Sequence, residues 1–252
     1  MPVADAGDRA RDEERALVDR ALDGDRAALE AVVGIVRDPV YRLALRMEWR
    51  PDDAEDATQE ILVRIVTRLA SWEGRAALTT WAYRVAANHL ANRRRSGRRD
   101  REELTFAAMG EELDRTASAP AYTGPDAEVL ADEVRLRCTQ AMLQCLDPGE
   151  RLVYVLGDIL RVPGREGAWI AGVGQAAYRK RLERARRAVR AFTAGRCGHL
   201  HPDGTCRCER RIERSVALGR VRSGRLGLRH HPVADEAALA AASAELAELH
   251  SV

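Results

Sequence analysis

The densest chemistry in the chain lies between Arg165 and Leu182. Ala168, Ile170 and Ala171 can pack a short helix, Gly172 stands where a tight turn needs positive φ, and Val173 can plug between two helices. A second helix then presents Gln175, Ala176, Arg179, Lys180 and Arg184 outward, with Ala177, Leu182, Ala185 and Val189 facing a core. A helix-turn-helix needs this order, with the first side chains of the second helix reaching base edges. Arg179, Lys180, Arg181, Arg184, Arg186, Arg187 and Arg190 stand against one acid, Glu183, and supply charge for phosphates. The plainer alternative is a solvated basic helix in an ordinary bundle.

A second group runs from Ser71 to Arg95. Trp72, Trp81 and Tyr83 lie among Arg75, Arg84, Asn88 and Arg93–Arg95. Unstacked bases bind such surfaces, because every base offers a π-face and every nucleotide a phosphate. Trp81 falls on the apolar stripe and reads as core, whereas Tyr83 and Arg84 fall off it. A third group is acidic: Asp52, Asp53, Glu55, Asp56 and Glu60. Clustered carboxylates can hold Mg²⁺ for nuclease chemistry. Asp52 and Asp53, however, suit an N-cap and first helical turn, and Asp56, Gln59, Glu60 and Val63 form an outward strip suited to a protein partner.

A fourth group closes the list. Cys197, His199, Cys206 and Cys208 are soft ligands of the kind zinc takes, though C-x₈-C-x-C lacks the usual C-x₂-C knuckle. Nearby Arg196, Arg207, Arg210 and Arg211 would favour thiolate and a redox switch. An unstructured basic tail with idle cysteines is the alternative. Cys138 and Cys145 sit at apolar helical positions and read as small buried hydrophobes.

The elements that must hold these groups are helical. The 252 residues are 46% hydrophobic and 32% charged but only 4% aromatic, which argues against a β-sandwich or barrel. Net charge is +2, so a nucleic-acid surface must come from segregated charge; Lys180 is the only lysine among 41 cationic residues. No apolar run reaches membrane-spanning length, no signal-peptide core opens the chain, and the five cysteines form no secreted framework, so a cytoplasmic protein without membrane insertion is expected. Residues 1–15 read as a disordered N-terminus. Helical periodicity fills 16–95, with Asp38-Pro39 restarting a helix and Arg50-Pro51-Asp52-Asp53 opening another. Residues 96–127 read as a flexible linker, 128–192 as a second helical domain, and 193–252 as an extension ending in an acidic helix at 234–250. The fold class is all-α: two helical domains, a linker and a C-terminal tail.

Taken together, Asp53–Ile65, Thr80–Asn88 and Cys145–Leu156, followed by the helix-turn-helix, resemble the extracytoplasmic-function (ECF) sigma factors of bacterial RNA polymerase. Residues 16–95 look like that family's region 2 and 128–192 like its region 4. The resemblance implies a polymerase-binding strip of Asp56, Gln59, Glu60 and Val63, docking on the clamp helices of β′, with the β subunit a further partner. It implies that Trp72, Arg75, Thr80, Tyr83, Arg84 and Asn88 help melt and read the −10 element. It implies that Gln175, Ala176, Arg179, Lys180 and Arg184 read the −35 element in duplex DNA. Promoter DNA and core polymerase are then the partners, joined in some relatives by an anti-sigma factor. The resemblance implies that no cofactor is required and that the chain is not itself an enzyme; zinc on the tail is a separate reading of the Cys/His spacing. Leu78, Ala82, Asn92, Gly167, Trp169 and Gly174 depart from the family pattern. A stand-alone helix-turn-helix regulator would explain 165–192 but leave the first domain without a task.

Overall fold

The computed structural model describes residues 4–96 and 104–221. The described residues are helical, with one isolated β-bridge, and their contacts divide them into two compact units. Unit 1 is residues 1–101 with 162–178; unit 2 is residues 102–161 with 179–252.

Unit 1 opens with α1 (Ala4–Leu22), so the expectation of a loose N-terminus is not met. The reason is long-range: Glu14 accepts a hydrogen bond from the backbone N–H of Leu78 at 2.9 Å, and Arg15 donates to the carbonyl of Glu73 at 2.6 Å. α1 therefore caps the start of α4 (Leu78–Ser96), where a helix leaves N–H groups unsatisfied. Asp25 caps α2 (Arg26–Met47) by accepting from Ala28 N at 3.1 Å. Asp38-Pro39 does not restart a helix: Pro39 lies inside a continuous α2. α3 (Pro51–Thr67) begins with Pro51 in its first turn and no side-chain cap, Asp52 and Asp53 following as first-turn acids. Val32, Val36, Val40 and Leu43 of α2, Ile61 and Ile65 of α3, and Leu78 of α4 are all 0% exposed. Each contributes about 1.5–3 kcal/mol by leaving water.

Unit 2 corrects the reading of 96–127 as an aperiodic linker. Thr105 caps a helix, α5 (Phe106–Asp114), whose Met109 and Leu113 are buried with Met142 and Phe192. The Phe106 and Phe192 rings meet at 5.0 Å. α6 (Ala127–Cys145) ends on a buried guanidinium: Arg151 donates to the carbonyls of Leu143 at 2.7 Å and Gln144 at 2.9 Å. α7 (Pro148–Tyr154) starts at the Asp147 cap and runs into a π-turn at 155–159. The extension is not a detached tail through residue 221. Its α10 (Ile212–Ala217) and Val221 bury against Leu130, Ala131 and Val134 of α6. Arg211 donates to Glu112 O at 3.2 Å and to the Thr116 hydroxyl, and Arg210 donates to Ala117 O at 2.6 Å. Both close the C-terminal end of α5, where carbonyls lack helical partners.

α8 (Gly164–Ile170) and the start of α9 (Gln175–Ala194) belong to unit 1; the boundary falls in α9 after Tyr178. Gly172, at φ 67°, makes the turn: its N–H bonds to Trp169 O and that of Val173 to Ala168 O, the pattern that ends a helix on a left-handed residue. No helix among the described residues is long and apolar enough to cross a membrane.

Candidate polymerase and nucleic-acid interfaces

The acidic strip on α3 is placed as a surface. Ala54, Ala57, Ile61 and Ile65 turn inward, leaving Asp56, Gln59, Glu60 and Val63 exposed, Val63 at 64%. Glu60 is anchored from below: Arg93 of α4 bonds to it at 2.9 Å, and the buried His89 Nε2 lies 3.4 Å from its carboxylate. An apolar side chain beside the exposed Asp56 and the anchored Glu60 fits a protein partner with a basic rim. These carboxylates give no metal centre. Among the described residues no group of three or more His, Cys, Asp or Glu side chains could hold a metal ion.

The residues read as a single-strand surface separate into two sets. Arg75 and Asn88 are exposed, and Tyr83 and Arg84 half-buried. Trp72 and Thr80 are not surface groups: Trp72 is 8% exposed and its indole N–H donates to Ala76 O at 3.1 Å. Trp72 thus shapes the 72–77 loop rather than offering a stacking face. Thr80 is buried at 7%, with its hydroxyl donating to Glu166 of α8 at 2.8 Å. Arg84 also meets α8. Its guanidinium lies 4.6 Å over the Trp169 ring and bonds to the Trp169 carbonyl. Burial pushes the Tyr83 phenol up, with Arg42 and Arg46 opposing.

On α9 the core follows the expected one at Ala185 and Val189 and departs from it at Ala177. Tyr178, Ala185, Val189 and Phe192 are buried, and Ala177 is exposed. Gln175, Ala176, Arg179, Lys180 and Arg184 all remain on the outer surface, as expected. The basic residues are unequal, however. Arg186 forms a two-pronged pair with Asp158, at 2.9 and 2.5 Å, Arg184 pairs with Glu150 at 2.6 Å, and Arg187 with Glu183 at 2.9 Å. Pairing with acids within the chain neutralises charge that duplex phosphates would otherwise use. Arg179 and Lys180 are exposed ahead of those pairs, at the end of the helix that enters a groove in a helix-turn-helix.

The candidate zinc set is not assembled as a metal centre. His199 is exposed, while Cys197 and Cys206 stand side by side on the β-bridge, with Gly198 N bonded to Cys206 O at 2.9 Å and Cys206 N to Arg196 O at 2.8 Å. Cys138 of α6, read as a plain hydrophobe, lines the same cavity of about 40 Å³ as Cys197, Cys206 and Cys208. Burial pushes Cys206 up to about 11 and raises Cys138 and Cys208 as well, so those three are not ready thiolates. The acidic segment 234–250 lies outside the described residues.

Residues 33–100 match the family model described as Sigma-70 region 2. The chain is 31% identical to the ECF sigma factor SigE of Mycolicibacterium smegmatis over 176 residues, 68% of this chain and 65% of that protein. It is 29% identical to SigW of Bacillus subtilis over 169 residues (66% and 89%) and 25% identical to the sigma-H factor of Pseudomonas aeruginosa over 183 (71% and 93%). The chain thus spans about two thirds of SigE and most of the other two. CnrH, solved in complex with the cytosolic domain of CnrY, shares the fold at a TM-score of 0.51 and 22% identity, covering 72% of this chain and 97% of CnrH. The region 2 match falls on the helices that carry the acidic strip and the aromatic loop, and the relatives are ECF sigma factors; it is to that family that the chain is similar.

Proposed function

We propose that this chain is the promoter-selecting subunit of a bacterial RNA polymerase. Core polymerase docks through the β′ clamp helices on Asp56, Gln59, Glu60 and Val63. Arg75, Tyr83, Arg84 and Asn88 meet the opened −10 strand, and Thr80 joins them once Glu166 releases its hydroxyl. Gln175, Ala176, Arg179 and Lys180 read the −35 duplex, with Arg184 divided between DNA and Glu150. The chain supplies base recognition and charge; bond making stays with core polymerase, so the chain is no enzyme, and it works in the cytoplasm.

The observation that carries this reading is the α3 strip. Four outward side chains, one of them a largely exposed valine, stand on a helix inside the region 2 match, and a free-standing DNA-binding regulator has no use for them. The test is binding of purified chain to sigma-free core polymerase. Asp56→Arg with Val63→Glu should weaken that binding by about tenfold or more, as charge reversal and loss of an apolar anchor do at interfaces. Duplex DNA binding should be unchanged. Wild-type affinity for core polymerase in the double variant would overturn the assignment of the strip.

A further inference from the structure

Just past the end of α9 the chain turns back on itself. Cys197 O accepts from His201 N at 2.9 Å, Gly204 N bonds to His201 O at 2.9 Å, and the strand-like segment at Cys206 returns alongside Cys197. The two cysteines are the paired residues of a parallel bridge, so their Cβ atoms leave the same side. Neighbouring strands sit roughly 4.8 Å apart. That falls inside the roughly 4.4–6.8 Å window of Cα separations that disulfides span.

The knuckle is built to keep this distance. A Cβ on Gly204 would lie 2.5 Å from Gly198 N and 2.6 Å from Cys197 O, both backbone atoms that cannot give way. Only glycine lets the two segments approach so closely. Arg207 fastens the loop from within, donating to Pro202 O at 2.9 Å and to the Gly204 carbonyl. Both cysteines are free thiols, half-buried rather than sealed in the core.

We propose that Cys197 and Cys206 are a reversible disulfide-forming pair, oxidised by a peroxide. The Cys197 thiolate attacks one peroxide oxygen, the O–O bond breaks, and the departing oxygen leaves as water after taking a proton. The sulfenic acid on Cys197 then meets Cys206. The Cys206 sulfur bonds to the Cys197 sulfur, the S–O bond breaks, and the hydroxide released takes the Cys206 proton. Two thiols and hydrogen peroxide give one disulfide and two waters, a two-electron oxidation of sulfur. Cys206 need not react with an oxidant in solution; the bridge fixes it beside the sulfur it attacks. A dithiol reductant reverses the reaction.

The test uses the full chain with a chelator present, exposed to hydrogen peroxide, alkylated in denaturant and digested with trypsin. Cleavage after Arg196 and Arg207 puts both cysteines on one peptide, 197–207. The expected main product is that peptide unalkylated and lighter by two hydrogens, restored to the alkylated form by prior reduction. Gly204→Val, which forces the segments apart while keeping both thiols, should abolish it. Peptide 197–207 cross-linked instead to the peptide of Cys138 or Cys208 would overturn the pairing, as would sulfinate or sulfonate without a disulfide. Uptake of one Zn²⁺ per chain that shields both thiols from peroxide, in samples without chelator, would overturn it in favour of a metal site.

Discussion

A Cβ on residue 167 would lie 2.6 Å from Cζ of Tyr178, so Gly167 and Tyr178 are fitted to each other across the turn at Gly172. Gly167 is a departure from the family pattern, and the ring of Tyr178, 1% exposed, fills the space it leaves. Gly167→Ala should cost about 1–3 kcal/mol of stability, as overpacking of a filled site does. Tyr178→Leu should recover part of that loss in the double variant. Urea unfolding of the two single variants and the double closes the cycle, and strictly additive losses would contradict the fit.

The arginines of α9 should part into two classes. Arg179→Ala should weaken binding to −35 duplex and lower the log–log salt slope by about one, with stability unchanged. Arg186→Ala should behave in the opposite sense, since it strands the largely buried carboxylate of Asp158. A stability loss of about 1–3 kcal/mol is expected there. Duplex titrations at several salt concentrations, read beside urea midpoints, separate the two.

Thr80 and Arg84 are engaged by Glu166 and Trp169, so the −10 role proposed for them requires exchanging those contacts for DNA. Glu166→Ala together with Trp169→Ala should tighten binding of a single-stranded −10 oligonucleotide several-fold. Arg84→Ala should weaken it in both backgrounds. Fluorescence anisotropy with a labelled strand reads both effects, and an unchanged affinity in the first variant would mean the α8 contacts cost nothing.

His89 sets a pH response. Burial, and next the Arg64 charge, hold it below its ordinary value of 6.5, against the opposing pull of Glu60. The unfolded chain therefore binds more protons than the native one in mild acid. Its contribution to stability is complete above about 6.5 and is lost as pH falls through that value toward the folded-state one. His199 shifts in the same direction, so the diagnostic is the difference between wild type and His89→Gln. Urea midpoints above and below 6.5 should fall less in the variant.

Sequence periodicity was enough for what a helix records locally. The outward strip of α3, the inward Trp81 of α4 and the Gly172 turn follow from spacing within about twenty residues, the range over which helical repeats persist. What escaped depends on distant partners. Glu14 caps α4 from 64 residues away, and nothing in 1–15 announces that role. α5 is nine residues long, and its apolar face finds Met142 and Phe192, which no local pattern reveals. Cys138 meets the tail cysteines by the same kind of remote packing. On α9 local spacing points to the small Ala177 as core, whereas the structure buries Tyr178, because an amphipathic phenol fits either side of a helix. Trp72 looks like a ligand by residue type and Thr80 by the family resemblance; their burial comes from the loop and α8 that cover them. The outward strip of α3 was legible because exposure there follows from the phase of the buried face.

The most direct measurement is reconstituted initiation: full chain, sigma-free core polymerase and a library of promoter fragments. The account predicts core-dependent transcripts from fragments sharing one −35 and one −10 element, lost with Asp56→Arg/Val63→Glu and shifted in promoter preference by Arg179→Ala. Tight duplex binding that never programs the polymerase would contradict it, leaving a stand-alone helix-turn-helix regulator on a sigma-like frame.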